Sequence, residues 1–185
     1  IYRILADKVG VGDCLIGLGN AAISQGHYEK ARAFYEEGLG IRQELGDKWG
    51  IARLIGNLGL LAYFQMNYDR AHSLLKESLT LFRELQDYQG VANELNNLGD
   101  VARHQGKLSM ARAFYEESVS NSRLMKDQWG MAYGIMGIAD VAFEQGDFST
   151  AISHYKDCLG MFQKEADYIG LPYVLESVAG LLLTK

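Results

Sequence analysis

Residues 87–126 read DYQGVANELNNLGDVARHQGKLSMARAFYEESVSNSRLMK. The stretch opens on Asp-x-x-Gly, at Asp87 and Gly90, and the same pair stands at Asp7/Gly10, Asp47/Gly50, Asp127/Gly130 and Asp167/Gly170. The spacing is 40 residues, kept at five positions without a slip. A fixed period is the mark of a repeat architecture and has to be read before any single motif. Other columns keep the register. Leu18-Gly19, Leu58-Gly59 and Leu98-Gly99 align, followed by Ile138-Ala139 and Val178-Ala179. Ala22, Ala62, Ala102 and Ala142 form one column, Ala31, Ala71, Ala111 and Ala151 a second, and Tyr35, Leu75, Tyr115 and Tyr155 a third.

Each repeat reads as two helices. Ile51, Leu54, Ile55, Leu58, Leu61 and Ala62 recur at helical spacing, so the first helix buries one stripe. Tyr28, Ala31, Tyr35, Leu39 and Arg42 or Leu45 continue a similar stripe in the second. Between them lie short polar turns, Gln25-Gly26-His27, Gln105-Gly106-Lys107 and Gln145-Gly146-Asp147, where glycine supplies the left-handed residue that ends many helices. The second repeat has Met66-Asn67 instead, and Asn67 is expected to take that conformation. Gly19, Gly59 and Gly99 fall inside a helix, where each costs about 1 kcal/mol against Ala. A repeated cost implies a repeated benefit, here a close approach of two helices with the Ala31 column as the facing surface. The Asp of each junction is expected to cap the following helix.

Composition agrees. The chain has 185 residues, 48% hydrophobic and 22% charged, with 21 glycines, one proline (Pro172) and a net charge of −5. That excludes a disordered segment, and the proline deficit suits uninterrupted helices. A pI near 5.4 with scattered Lys and Arg is not built to follow a phosphate backbone. No apolar stretch approaches the roughly 20 residues that span a bilayer, and no signal peptide is visible. Cys14 and Cys158 stand apart from each other and from any His, which suits buried thiols in a reducing, cytoplasmic setting.

A helix hairpin with Leu-Gly, Ala three positions on, a Gly-x-Tyr turn, a further Ala and an aromatic resembles the tetratricopeptide repeat, in an extended form of about 40 residues. The family's proline after the second helix is absent, and Asp-x-x-Gly occupies the junction. The resemblance implies an all-α fold, a right-handed superhelical solenoid of antiparallel helix hairpins. It divides the chain as a single array: a partial repeat 1–11, repeats 12–51, 52–91, 92–131 and 132–171, and the first helix of a further repeat at 172–185. With Ile1–Ala6 aligned to Ile41–Gly46 and no second helix after Asp167, the expectation is a piece of a longer array whose ends can self-associate.

Motifs of chemistry dissolve in this register. Gly17-Leu18-Gly19-Asn20-Ala21-Ala22 has the letters of a dinucleotide fingerprint but lies in a helix and follows no strand. The junction aspartates sit roughly 8–10 Å apart from helix to helix and cannot converge on one ion. His104 shares a column with Glu144, and an ordinary surface contact outweighs a catalytic pair. No activated nucleophile, phosphate loop or metal-spaced cluster stands out, so no catalytic residue, metal or cofactor is assigned. The recurrence of Trp49 at Trp129, and of residues 31–37 at 111–117, needs only a duplication of two repeats.

The resemblance also implies where a partner would lie, since first helices line the family's concave groove. The corresponding columns hold Arg53, Asn57, Tyr63 and Phe64 in the second repeat. The third contributes Asn93, Asn96, Asn97, Asp100, Arg103 and His104, and the fourth Tyr133, Asp140, Phe143 and Glu144. Asparagine both donates and accepts, so it can pair with the backbone of an extended peptide whatever its sequence. Asn57, Asn97 and Arg53 match columns that clamp a peptide carboxylate in some family members. Tyr133 and Gly137 stand where that clamp needs two basic residues, so a free-carboxylate clamp is not expected.

The expected function is a non-catalytic protein–protein interaction module, holding a peptide or partner domain within a larger signalling or transcription-regulatory protein. The repeats are similar to arrays in bacterial signalling ATPases and LuxR-type regulators, and in kinesin light chain or spindle-orientation scaffolds. The competing reading is a small-ligand sensor, with Tyr63, Phe64, Tyr133 and Phe143 beside Asn and Asp suited to a sugar.

Overall fold

The computed structural model describes residues 8–164. They form eight α-helices: α1 (Lys8–Ser24), α2 (Tyr28–Leu45), α3 (Lys48–Phe64), α4 (Tyr68–Glu84), α5 (Tyr88–His104), α6 (Leu108–Met125), α7 (Gln128–Glu144) and α8 (Phe148–Lys164). Among the described residues there is no strand, and the fold is all-α, built of antiparallel helix hairpins. The junctions at Asp7 and Asp167, the start of the partial repeat and the helix expected at 172–185 lie outside the described residues. The chain groups into two compact units, one ending at Asp87 and one beginning at Tyr88. Unit one therefore holds the hairpins α1–α2 and α3–α4, and unit two holds α5–α6 and α7–α8. Among the described residues no helix is long and apolar enough to cross a membrane.

Turn chemistry sets the hairpins. Gly26, Gly106 and Gly146 sit at φ +72, +71 and +80°, in the left-handed region that glycine enters without penalty. In the remaining hairpin the residue at φ +60° is Met66, and Asn67, at φ −87°, instead caps α4 by accepting from the Arg70 amide at 3.2 Å. The expectation for Asn67 is thus corrected. The left-handed position precedes the cap by one residue, and in this repeat it falls on methionine.

The junction aspartates cap as expected at Asp47 and Asp127, whose carboxylates accept from the Gly50 and Gly130 amides at 3.0 Å. The glycine of the motif has a steric reason too. A Cβ at Gly50 would lie 2.5 Å from Asp47 Oδ2 and from Arg42 Cδ, and one at Gly130 would meet Asp127 and Ser122. Asp87 receives the Trp49 indole N–H at 2.7 Å, and Gln89, in the same column, donates to Asp127 at 3.1 Å. This column therefore ties the start of one hairpin to the junction aspartate that follows it.

Within each hairpin the Ala31 column is buried, with Ala31, Ala71, Ala111 and Ala151 all at 0% exposure. It does not face the helical glycines, however. Gly19 and Gly99 lie against the rings of Tyr35 and Tyr115, and a Cβ at Gly59 would be 2.8 Å from Leu75 Cγ. A long side chain four residues beyond the alanine crosses the interhelical gap, which a methyl group cannot do. Beside it, Ser78, Ser118 and Cys158 donate to the carbonyls of Ala52, Ala92 and Ala132 at 2.9, 2.9 and 3.3 Å, so Cys158 is a small packing residue as read. Cys14 is exposed, against the expectation of two buried thiols, because its place on α1 is off the buried stripe of Val11, Leu15, Ile16 and Ala22.

Candidate interaction faces

In unit one the first helices are α1 and α3. Arg53 lies with its guanidinium 4.8 Å from the Trp49 ring centroid, and Asn57 is half-buried one turn further along. Tyr63 packs edge-on to Phe64 at 5.5 Å and tilts against Tyr68 at 6.0 Å. Phe64 and Met66 remain exposed, so these residues gather at the hairpin end of α3. Arg53 and Asn57 sit further back on the same helix. Below this face, Tyr35 donates to Asn20 Oδ1 at 2.6 Å, and burial pushes its phenol up to about 12.

Unit two concentrates the polar chemistry. Tyr115 donates to Asp100 Oδ1 and Tyr155 to Asp140 Oδ1, both at 2.6 Å. Arg103 reaches from α5 to α7, with Nη1 2.7 Å from Glu144 Oε1 and Nη2 3.8 Å from Asp140 Oδ2. Expected site residues Asp100, Arg103, Asp140 and Glu144 therefore form one network. His104 turns back on the Asp100 carbonyl, its Nδ1 at 3.0 Å, and the Glu144 carboxylate goes to Arg103 instead. The His104–Glu144 contact weighed from the columns is thus replaced by an arginine pair one residue away.

Along α5, Asn93 accepts from Gln89 at 3.4 Å and Asn97 donates to Glu94 at 3.3 Å. Asn96 Oδ1 is buried, 3.5 Å from where a Cβ on Gly134 would stand, and has no hydrogen-bond partner among the described residues. Tyr133 packs on Trp129 at 4.2 Å and against Phe162 at 5.5 Å, while Phe143 packs on Phe148 at 5.7 Å.

The electrostatics follow burial. Desolvation raises the Asp100 carboxyl above its ordinary value, against the lowering pull of the Tyr115 hydroxyl and Arg103. Burial, then the Asp100 carboxylate, pushes the Tyr115 phenol well up. Burial alone would depress Arg103, but Asp140 and Glu144 hold its guanidinium above the usual range. Among the described residues no three His, Cys, Asp or Glu side chains group to hold a metal ion.

Sequence reading placed Arg42 or Leu45 on the buried stripe but missed the partners of Arg42, and missed Glu94 altogether. Glu94 is 6% exposed, and Arg42 is 4% exposed while bonding Asp47, Asp13 and the Val9 carbonyl at 2.8, 2.6 and 3.2 Å. A signal for the tyrosines was present. Asn20, Leu60, Asp100 and Asp140 stand 15 residues before Tyr35, Leu75, Tyr115 and Tyr155. A polar partner thus occurs wherever the ring carries a hydroxyl, and leucine faces leucine.

Repeated hairpins with a buried seam and polar, aromatic first-helix faces define a helical-repeat interaction module. The chain belongs to the tetratricopeptide repeat family, whose models match residues 11–45 and 46–123, together more than half of it. No curated protein matches the chain. Among solved structures it is similar to BtubC (BKLC) from P. vanneervenii, at 20% identity and TM-score 0.76, covering 96% of this chain and 79% of that one. It is similar to a Rap protein complexed with Competence and Sporulation Factor, at 12% identity and TM-score 0.82, covering 91% and 47%. A third is a signal transduction ATPase with numerous domains and a tetratricopeptide repeat sensor from Pyrococcus horikoshii, at 16% identity, TM-score 0.74, 88% and 25%. The chain thus spans less than half the length of the last two. At these identities the likeness is one of fold.

Proposed function

We propose that the chain is a non-catalytic, cytoplasmic interaction module of a larger signalling or transcription-regulatory protein. The first-helix face of each unit, taken by itself, holds an extended peptide segment of a protein partner. The observation that carries this reading is the run of asparagines, Asn57 in unit one and Asn93, Asn96 and Asn97 in unit two, beside half-buried aromatics rather than a solvated charge run. Primary amides offer donors and acceptors that match a peptide backbone. The Rap relative, complexed with a factor, supports the same use of the fold. The acidic pI supports a protein partner over a nucleic acid.

The test is selection of displayed peptides on the purified chain, followed by titration of the winners. Asn57→Ala with Asn97→Ala is expected to weaken binding at least about tenfold, equivalent to about 1.4 kcal/mol. Unchanged affinity in a folded double variant would remove these faces from the interaction.

The Trp129–Tyr133 stack supports a second reading, a small-ligand sensor, because a paired aromatic surface suits a sugar ring. In that case the melting midpoint rises with ligand concentration, by about 2.7 kcal/mol of stability at a hundredfold excess over Kd. Displayed peptides would then find no purchase.

A further inference from the structure

The first helices of unit two are short of cationic side chains and rich in carboxylates. α5 and α7 carry Glu94, Asp100, Asp140 and Glu144, and their one Lys or Arg is Arg103. That guanidinium is engaged by Glu144 and Asp140 on α7, so it is not free to receive an anionic partner. Asp100 and Asp140 each give one oxygen to a tyrosine hydroxyl, and Glu144 stands at the exposed end of α7. Independently of charge, Asn96 Oδ1 is a buried acceptor with no donor, between α5 and Gly134 of α7.

The deficit is particular to this face. α6 and α8 of the same unit set Arg112, Arg123 and Lys156 against Glu116, Glu117 and Asp157. α1 and α3 of unit one set Lys8, Lys48 and Arg53 against Asp13 alone. α2 sets four carboxylates against three cations and α4 three against three, so the excess of negative over positive charge is largest on this pair of first helices.

We infer that the α5–α7 face of unit two takes a partner segment bearing lysine or arginine, a deepening that rests on the peptide reading above. Charge complementarity selects the occupant. The cationic head is drawn to the carboxylates of Asp140 and Glu144 at the more open end of this face, and its alkyl stem lies on the half-buried rings of Tyr133 and Phe143. Asn93 and Asn97 hold the segment's backbone. An acidic segment would bring further negative charge to a face that carries four carboxylates against one guanidinium, and is rejected.

The experiment uses the full chain and three pools of short displayed peptides with blocked termini, doped with Lys and Arg, with Asp and Glu, or with neither. The basic pool is expected to enrich, and its winners to bind less tightly as salt rises. Asp140→Asn with Glu144→Gln, which keeps the acceptor for Tyr155, is expected to weaken them at least about tenfold, or about 1.4 kcal/mol. Circular dichroism establishes that the double variant is folded. Should it not fold, Glu144→Gln alone, at the exposed end of α7, is expected to show a smaller loss of the same sign. Enrichment of the acidic or uncharged pool, or basic binding that ignores these substitutions, overturns the inference. If such peptides still depend on Asn57 and Asn97, the interaction reading stands without it. If no pool binds, both fall.

Discussion

Tyr115 is held on three sides. Its ring lies against Gly99 in its own hairpin and against Gly137 on α7, and its hydroxyl is fixed to Asp100. A methyl added at Gly99 therefore meets a ring that cannot swing away. Helix propensity favours alanine there by about 1 kcal/mol, but overpacking a well-filled contact costs about 1–3 kcal/mol and wins. Gly99→Ala is expected to lower the melting midpoint by several degrees. Gly17 is helical too, yet nothing stands within 4 Å of its missing Cβ. Gly17→Ala is expected to raise the midpoint, by about 0.5–1 kcal/mol of stability. Thermal unfolding of the two variants side by side tests whether the glycines divide as the geometry says, and equal shifts of one sign would mean they do not.

At the scale of the helix hairpin, one turn breaks the rule that the others follow. Met66 occupies the left-handed position taken by Gly26, Gly106 and Gly146, and is 76% exposed, so it gains little packing in return. A non-glycine residue in that region is disfavoured by about 1–2 kcal/mol. Met66→Gly is expected to stabilise the chain by about 1 kcal/mol after allowance for glycine's greater chain entropy. An unaltered or lower midpoint would show that the methionine side chain packs usefully at the turn. The same turn shows how far elements were legible. Among the described residues, periodicity and the Asp-x-x-Gly spacing located the four hairpins, because 40-residue columns report packing that recurs in each repeat. What they could not report was a single-residue choice such as Met66 over Asn67. The site divides in the same way. The first-helix columns selected Asp100, Arg103, Asp140 and Glu144, but not that Arg103 bridges to α7, since column reading compares equivalent positions and the bridge joins inequivalent ones. The partners of Arg42 escaped for a related reason: its column holds Phe82, Ser122 and Phe162, and Gly12 and Gly50, whose missing Cβ atoms would be 2.8 Å from Arg42 Nε and 2.5 Å from Arg42 Cδ, make space for it.

At the scale of the whole molecule, stability against pH sums groups that pull in opposite directions. The carboxyls of Glu44 and Asp147 are lowered by hydrogen bonds from Lys8 and Thr150, so their contribution is present above the ordinary carboxylate range and lost on acidification. Both are surface groups, and that contribution is small. Asp100 has the opposite sign. Its folded value is raised, chiefly by burial, so its contribution is fully present below the unfolded value of about 3.9 and is lost as pH rises through the folded one. The ionised form therefore opposes folding, although it serves Tyr115 and lies near Arg103. Asn20 performs the same service for Tyr35 at the same 2.6 Å without a charge. Asp100→Asn is accordingly expected to raise the midpoint by a few degrees at pH 7, a gain that vanishes below about pH 3.9, where the native carboxyl is already neutral. Thermal melts of both proteins across that range decide the sign. A midpoint lowered at pH 7 would mean that attraction to Arg103 outweighs desolvation. With the expected sign, an aspartate is retained where asparagine would be the more stable choice. A charge kept against stability belongs with binding, so the same variant is expected to bind lysine- and arginine-bearing peptides less tightly while melting at a higher temperature.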